Sequence, residues 1–512
     1  MLKTKLSLLL LLAASCGAFG QATSAARPNS ATMVQIINHK IDSVTQVIKI
    51  TSDAGNLIRL YMMRGIAESA LKHTDEAVGD FTKALSLHKP SNIFSAEIYL
   101  YRGDLYERTR NYQKCIDDYR EALKFFGSNP SVASRLYTSI GYCQLQLKNY
   151  DEAVKADSIA MVNNPNSPFP EANMGFAYLH TRKYQQAADA FTAALYRYHT
   201  SNKKLLSDIV RARADAERKL KKNLDALNDY SMAINLDPDN RLAHWNKAAC
   251  YNQNGDYQLA DEEYTKAITY YKGDSLNLAR LYDDRAVMEL DEMKYAKSLQ
   301  DDSIAMLYDS KYNEIYWHLP QAYAQNADFD KSVIAYNRAL DVYRDNKNAV
   351  ALIYDGIADE YYFLGKYDSV INACNQAIAI NGQLWSSYLS RGRAYLKEDK
   401  KDLAMADFNK VASEDTAKGS YEYSFALFYI GQPDKAIQTM QSNIIATTNP
   451  ALVVTHYYNL ACLLSLMNKP DEAAAYLKKC IDKGYNKKYV LTDPDLENLR
   501  NSAQFKEAIG NN

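Results

Sequence analysis

The sequence predicts an all-α fold made of helix-turn-helix units stacked in series. Two observations carry this. The 512 residues hold only 19 Gly and 12 Pro, about half of average usage, as expected of long uninterrupted helices. A small residue also recurs along most of the chain, at Gly65, Gly103, Gly141, Gly175, Ala214, Ala248, Ala286, Pro320, Ala358, Gly392, Ser424 and Ala461. With 47% hydrophobic and 24% charged residues, the chain can bury a core and is not disordered by composition. Its net charge of −1 leaves no electrostatic footprint for nucleic acid.

The start reads as an address. Lys3 and Lys5 precede an apolar run from Leu6 to Ala14, too short to span a bilayer. Residues 1–20 therefore form a secretory signal peptide, cleaved before Gln21. Cys16, after Leu12-Ala13-Ala14-Ser15, offers a second possibility, a lipid anchor, although the usual Leu stands one position early. The chain is expected in the periplasm or cell envelope of a bacterium, in soluble form or associated with the outer membrane. No later segment is long and apolar enough to cross a membrane.

Each repeat has a packing logic. Twelve residues after each small residue stands a second, from Ala77 and Cys115 to Ala473, with only Val370 larger. Between that position and the next recurrent Ala lies a bulky residue such as Phe81, Tyr119, Phe191, Tyr230, Tyr264, Tyr336 or Phe408, with Asp157 and Asp302 as exceptions. Antiparallel helices approach closely where side chains are small, and the bulky residue fills the gap beside the contact. An aromatic opens most second helices: Tyr112, Tyr150, Tyr184, Tyr257, Tyr295, Phe329 and Tyr367. Of the six later Cys, Cys115, Cys374 and Cys480 fall on packing positions, and no pair has metal or redox spacing.

This pattern resembles the tetratricopeptide repeat. The resemblance covers residues 58–487 in about twelve repeats and implies a right-handed α-solenoid. The repeat around Ser424, with Pro433, Met440 and Asn443, is the most divergent. Residues 21–57 read as a linker and N-terminal capping helix, and 488–512 as a C-terminal cap, needed because a terminal repeat leaves an apolar face uncovered.

A longer period lies inside the short one. From Gly141 to Gly392 the repeat spacing alternates between short and long. Where it is long, an aromatic follows the second-helix Ala by four residues (Phe126, Tyr198, Tyr271, Tyr343). Where it is short, the residue is Asn164, Asp237, Asp309 or Asn381. Asn and Asp end helices readily, whereas an aromatic continues the apolar stripe. The expectation is a second helix longer by about four residues, roughly 6 Å, in every other repeat. Asp157-Ser-Ile-Ala-Met161 recurs as Asp302-Ser-Ile-Ala-Met306, as a duplicated pair of repeats would give.

Chemistry is hard to find. Eight His are scattered without a ligand pair, and no nucleophile elbow, dinucleotide loop or phosphate loop is present. Asp237-Pro-Asp-Asn240 and Asp493-Pro-Asp495 read as turns, lacking the other ligands of a calcium loop. No catalytic residue, metal site or cofactor is assigned. The resemblance implies a concave face lined by first helices, where peptides bind. Matched positions there are Phe169, Phe176, Trp245, Trp317, Tyr362, Phe363, Tyr421, Phe425 and Tyr458, with Tyr142 beside them and a charged stretch, Arg211, Asp215, Arg218 and Lys219, between the two halves. Aromatics of low entropy cost suit binding anchors, the Trp above all. The family's carboxylate clamp for chaperone tails is absent.

The reading is a non-enzymatic scaffold binding a protein or peptide in this groove. The alternative is a glycan-binding or glycan-processing protein that stacks sugars on the same aromatics. Asp355 and Asp359, one turn apart near Tyr362, are the pair a hydrolase would use.

Overall fold

The structure, a computed structural model, describes residues 30–87, 93–198, 202–415, 420–447 and 450–510. Residues 1–20, read as a signal peptide and including Cys16, lie outside them, as do His88 and His199. The described residues form 27 α-helices and two short 3₁₀ turns, with no strand, and no helix is long and apolar enough to cross a membrane. Two compact units divide the chain, Met1–Asn240 and Arg241–Asn512.

In the first unit, α1 (Ser30–Ile50) precedes five hairpins: α2/α3 (Ala54–Ala70, Thr74–Ser86), α4/α5 (Ile93–Arg108, Tyr112–Phe126), α6/α7 (Pro130–Gln146, Tyr150–Asn163), α8/α9 (Phe169–His180, Tyr184–Arg197) and α10/α11 (Lys203–Lys219, Asn223–Leu236). The second unit has seven: α12/α13 (Arg241–Asn254, Tyr257–Tyr270), α14/α15 (Ser275–Asp291, Tyr295–Tyr308), a 3₁₀ turn (Glu314–Trp317) with α16/α17 (Leu319–Gln325, Phe329–Tyr343), α18/α19 (Lys347–Phe363, Tyr367–Ile380), α20/α21 (Trp385–Lys397, Lys401–Glu414), α22/α23 (Tyr421–Tyr429, Pro433–Ala446) and α24/α25 (Pro450–Leu466, Pro470–Ile481). It ends with α26 (Lys487–Thr492), a 3₁₀ turn (Pro494–Leu496) and α27 (Ala503–Ile509). The aromatics read as opening second helices are the first helical residues of α5, α7, α9, α13, α15, α17 and α19.

A small-to-bulky pairing packs the two helices of many hairpins together. A Cβ at Gly65, Gly103, Gly175 or Gly392 would lie 2.9, 2.8, 2.6 and 2.6 Å from the nearest ring carbon of Phe81, Tyr119, Phe191 and Phe408 respectively. Those rings are fully buried. In these four hairpins the side-chain-free position leaves room for the ring against the first helix. All six Cys after Cys16 are buried and free, with Cys115 and Cys143 Sγ 3.1 Å apart.

A second tie repeats beside the first. The residue before the small one is Arg in five hairpins, and its guanidinium forms a two-pronged bond to an Asp of the second helix: Arg64–Asp80, Arg102–Asp118, Arg213–Asp229, Arg285–Asp301 and Arg391–Asp407, at 2.6–3.0 Å. The remaining Nη1 donates to Thr45, Thr82, Thr192, Thr265 or Asn375 on the preceding helix, at 2.6–3.3 Å. The fork geometry suits three-point bonding, so one side chain fixes both hairpin closure and stacking. For Arg64 the acceptor belongs to α1, which occupies the place of a preceding second helix.

The alternation in repeat length has a different source from the one expected. Second helices α5 to α21 are all 14 or 15 residues long. Asn164, Asp237, Asp309 and Asn381 do cap helix ends, but the aromatics add no turn. The extra residues lengthen the next first helix. α6, α10, α14 and α18 each have 17 residues, against 12, 14 and 13 in α8, α12 and α20. The long ones start early because Asn129, Asn202, Asp274 and Asn346 accept hydrogen bonds from their first-turn amides, as good N-caps do. Three of the aromatics, Tyr198, Tyr271 and Tyr343, instead meet Phe169, Trp245 and Trp317 edge-on.

Candidate interaction surface

Successive first helices place Tyr101 (α4), Tyr142 (α6) and Phe169 (α8) on the face of the first unit. All three are exposed, Phe169 by 52%. Tyr142, Phe169, Arg135, Thr138, Ser131, Glu107 and Asn173 line one depression of about 460 Å³. Phe169 is braced by Tyr198 at a centroid distance of 5.4 Å. Asn173 Nδ2 donates to Thr138 O (3.3 Å) and Asp157 Oδ1 (3.2 Å), fixing α8 on the hairpin before it. Arg135 is exposed, and no carboxylate lies within ion-pair distance of it among the described residues. Apolar rings beside an exposed guanidinium suit a segment carrying both an apolar side chain and a carboxylate. Phe176, on the same helix as Phe169, turns inward against Phe191 at 5.0 Å. In the charged stretch on α10, Arg211 pairs with Asp215 at 2.6 Å and Tyr230 donates to Asp215, while Lys219 is exposed.

On the second unit, Trp317 is 54% exposed and rests on Tyr343. Trp245 is half-buried and its indole donates to Asp284 Oδ2 at 2.6 Å. Further along, the first-helix face is covered by the chain's own end. Tyr362, Phe425 and Tyr458, read from sequence as solvent-facing groove residues, are buried. Arg393 donates to Asp495 and stacks over Tyr362, 4.2 Å from its centroid. Tyr458 donates to Asp493 and stacks on Tyr485. Phe363 lies between Phe329 and Tyr489, and Tyr421 packs half-buried against Phe425. Asn486 and Lys488 reach back to Gln325, Asn326 and Asp328. Residues 486–495 thus pack across several first helices of this unit. Sequence reading missed this because aromatic and acidic residues look alike whether they bind a partner or their own chain.

Asp355 accepts from Ser386 and Ser387, and Asp359 from Ser390, all on α20. Burial raises both carboxyl pKa values, and for Asp359 the neighbouring Asp355 adds to it. These two carboxylates bridge adjacent first helices. His318, scattered in the sequence, lies beside Asp283 and Asp302.

Models of the tetratricopeptide repeat match residues 96–129, 134–156, 211–282, 386–418 and 456–482. The human mitochondrial import receptor subunit TOM70 is 23% identical over 321 residues, covering 60% of this chain and 51% of that protein. The Hsp70-Hsp90 organising protein of Plasmodium falciparum is 25% identical over 174 residues, covering 33% of this chain and 28% of that protein. The chain thus spans about half, or less, of the length of these curated relatives. Among solved structures, yeast Tom70 aligns with 84% of this chain and 100% of its own, at 14% identity and a TM-score of 0.34. The C-terminal part of a repeat protein from Cytophaga hutchinsonii aligns with 49% of this chain and 96% of its own, at 13% identity and 0.39. At these scores the structural likeness adds nothing to the sequence matches. Those matches, and the hairpins they fall on, make the chain a tetratricopeptide repeat protein.

Proposed function

We propose that this protein is a non-enzymatic interaction scaffold of the bacterial cell envelope that holds a protein segment against the first-helix face of its first unit. The observation that carries the reading is the run of exposed aromatics Tyr101, Tyr142 and Phe169 on successive first helices, with Arg135 among them. Exposed aromatics beside a cation are the usual anchors of a recognition surface. Every described helix from Ala54 to Ile481 belongs to a hairpin, which fits a chain whose business is surface. The named relatives, an import receptor subunit and an organising protein, are consistent with protein handling. The N-terminal sequence supports export, with soluble and Cys16-lipidated forms both open. Mass spectrometry separates them: a mature chain starting at Gln21 is the soluble form.

The test is affinity capture from envelope extract with the wild-type chain and with Tyr142→Ala/Phe169→Ala, after circular dichroism shows the variant folded. Loss of a specific protein with the variant supports the reading. Equal capture by both would move the site elsewhere. If no protein is captured but a glycan array shows binding, the glycan reading replaces this one.

A further inference from the structure

One first helix departs from the others. Its opening is a 3₁₀ turn, Glu314–Trp317, and His318 (φ −116°, ψ −25°) joins it to α16. The distortion brings His318 against Asp283 of α14 and Asp302 of α15. Nε2 lies 3.0 Å from Asp302 Oδ1 and 3.5 Å from Asp283 Oδ1. The Tyr312 hydroxyl donates to Asp283 Oδ2 at 2.9 Å. One donor atom from each of the three residues falls within 4.8 Å of the other two. Asp302 is fully buried, and Asp283 and His318 nearly so. Asp283 Oδ1 and Asp302 Oδ2 have no hydrogen-bond partner.

The duplicated positions in the first unit show what a plain structural solution looks like. There the three places are held by Thr138, Asp157 and Asn173. Asn173 donates to the Asp157 carboxyl and the Thr138 carbonyl. That set carries one acid and no imidazole. The second unit has changed Thr to Asp and Asn to His around the same Asp, which adds a carboxylate and a nitrogen donor at one buried point.

Charge decides what this set lacks. With both carboxylates ionised and His318 protonated, the set sums to −1. The other charged group acting most on His318 is Asp284, again acidic, and Arg285 is bonded to Asp301. Buried uncompensated charge with unpaired oxygens is unfavourable. A divalent cation with neutral His318 brings the sum to zero. Metal–ligand distances of about 2.0 Å in a tetrahedral site place ligand atoms about 3.3 Å apart, between the two Nε2–oxygen separations of 3.0 and 3.5 Å.

We propose that Asp283, Asp302 and His318 form a binding site for a divalent transition-metal cation of the zinc class, with Tyr312 orienting Asp283. Imidazole with carboxylate suits such ions, and the tyrosine hydroxyl is the kind of outer contact that fixes a ligand carboxylate. On binding, His318 coordinates as neutral imidazole and its Nε2 proton leaves to solvent. The cation clips α14, α15 and the 3₁₀ turn together.

The probe is Zn²⁺. The full reduced chain is stripped with chelator, incubated with Zn²⁺, desalted and analysed for metal by mass spectrometry, alongside His318→Asn, Asp302→Asn and Cys115→Ser. His318→Asn reproduces the residue of the first unit, so it is expected to fold. Cys115→Ser controls for the close Cys115–Cys143 pair near Glu107. The expected result is about one equivalent retained by wild type and Cys115→Ser, none by the two site variants, and a Zn²⁺-dependent rise in melting temperature only where metal is retained. No retention by wild type, equal retention by His318→Asn or Asp302→Asn, or loss confined to Cys115→Ser overturns the proposal.

Discussion

Replacing Asp495 by Asn tests how the chain end is held. The side chain of Arg393 is 14% exposed and that of Asp495 is 7% exposed. Arg393 is enclosed by Tyr362 and Phe425, and its Nε has no hydrogen-bond partner. The amide keeps the shape of the carboxyl and its contact with Tyr362 (3.3 Å), but strips the guanidinium of its nearest counter-charge. Breaking a buried pair from one side costs about 3–5 kcal/mol. Asp493 also acts on Arg393, which places the expected loss near ~3 kcal/mol. In a repeat array such a loss stays local. Amides of α26 and α27 should therefore exchange with deuterium roughly 100-fold faster, while those of α2 to α11 are unchanged. Arg393→Met/Asp495→Asn should recover part of the loss, because the guanidinium is no longer buried without its nearest counter-charge, while Asp493 keeps its bond from Tyr458. Unchanged exchange at α26 and α27 in Asp495→Asn would refute the idea that this ion pair secures the segment.

Three further outcomes follow from the packing. Gly79→Ala, on an exposed position of α3 with nothing within 4 Å of the new Cβ, should stabilise by about 0.5–1 kcal/mol. Gly175→Ala gains the same propensity, but overpacking against Phe191 costs about 1–3 kcal/mol, so urea midpoints should move in opposite directions. Asp157 has its carboxyl pKa raised to about 8 by burial. The stability linked to its proton is fully present below about pH 4, the unfolded value, and is lost as pH rises through about 8. Asp157→Asn should therefore flatten the fall in melting temperature across that window. Arg102→Lys removes the two-pronged bond to Asp118 and should cost about 2 kcal/mol, read as a lower urea midpoint.

Much of the fold was legible because hairpin packing demands the same residue types at the same places. Gly65 against Phe81 or Gly392 against Phe408 can be read from spacing alone. The Arg–Asp ties recur in five hairpins, with Arg before the small residue and Asp before the bulky position, but charge alone does not tell a buried tie from a solvated face. The length alternation was placed on the wrong helix because the aromatics Tyr198, Tyr271 and Tyr343 were read as extending a stripe. Their role is to brace a first-helix aromatic, and the N-caps Asn202, Asp274 and Asn346 set the boundary. Site residues fared less evenly. Phe169 and Trp317 are exposed, whereas Tyr362, Phe425 and Tyr458 are buried, because contacts such as Arg393–Asp495 join residues far apart in sequence. Asp157 and Asp302, noted as breaks in the bulky pattern, mark the two positions where polar clusters replace a ring.

The most direct measurement of the central claim is photo-crosslinking in living cells. A benzophenone amino acid placed at Phe169 probes the first-helix face, and one at Tyr196, which is 84% exposed on second helix α9, probes the opposite helix layer. The scaffold account expects a discrete protein adduct from position 169 and none from 196. An adduct from 196 alone, or none from either, would contradict it.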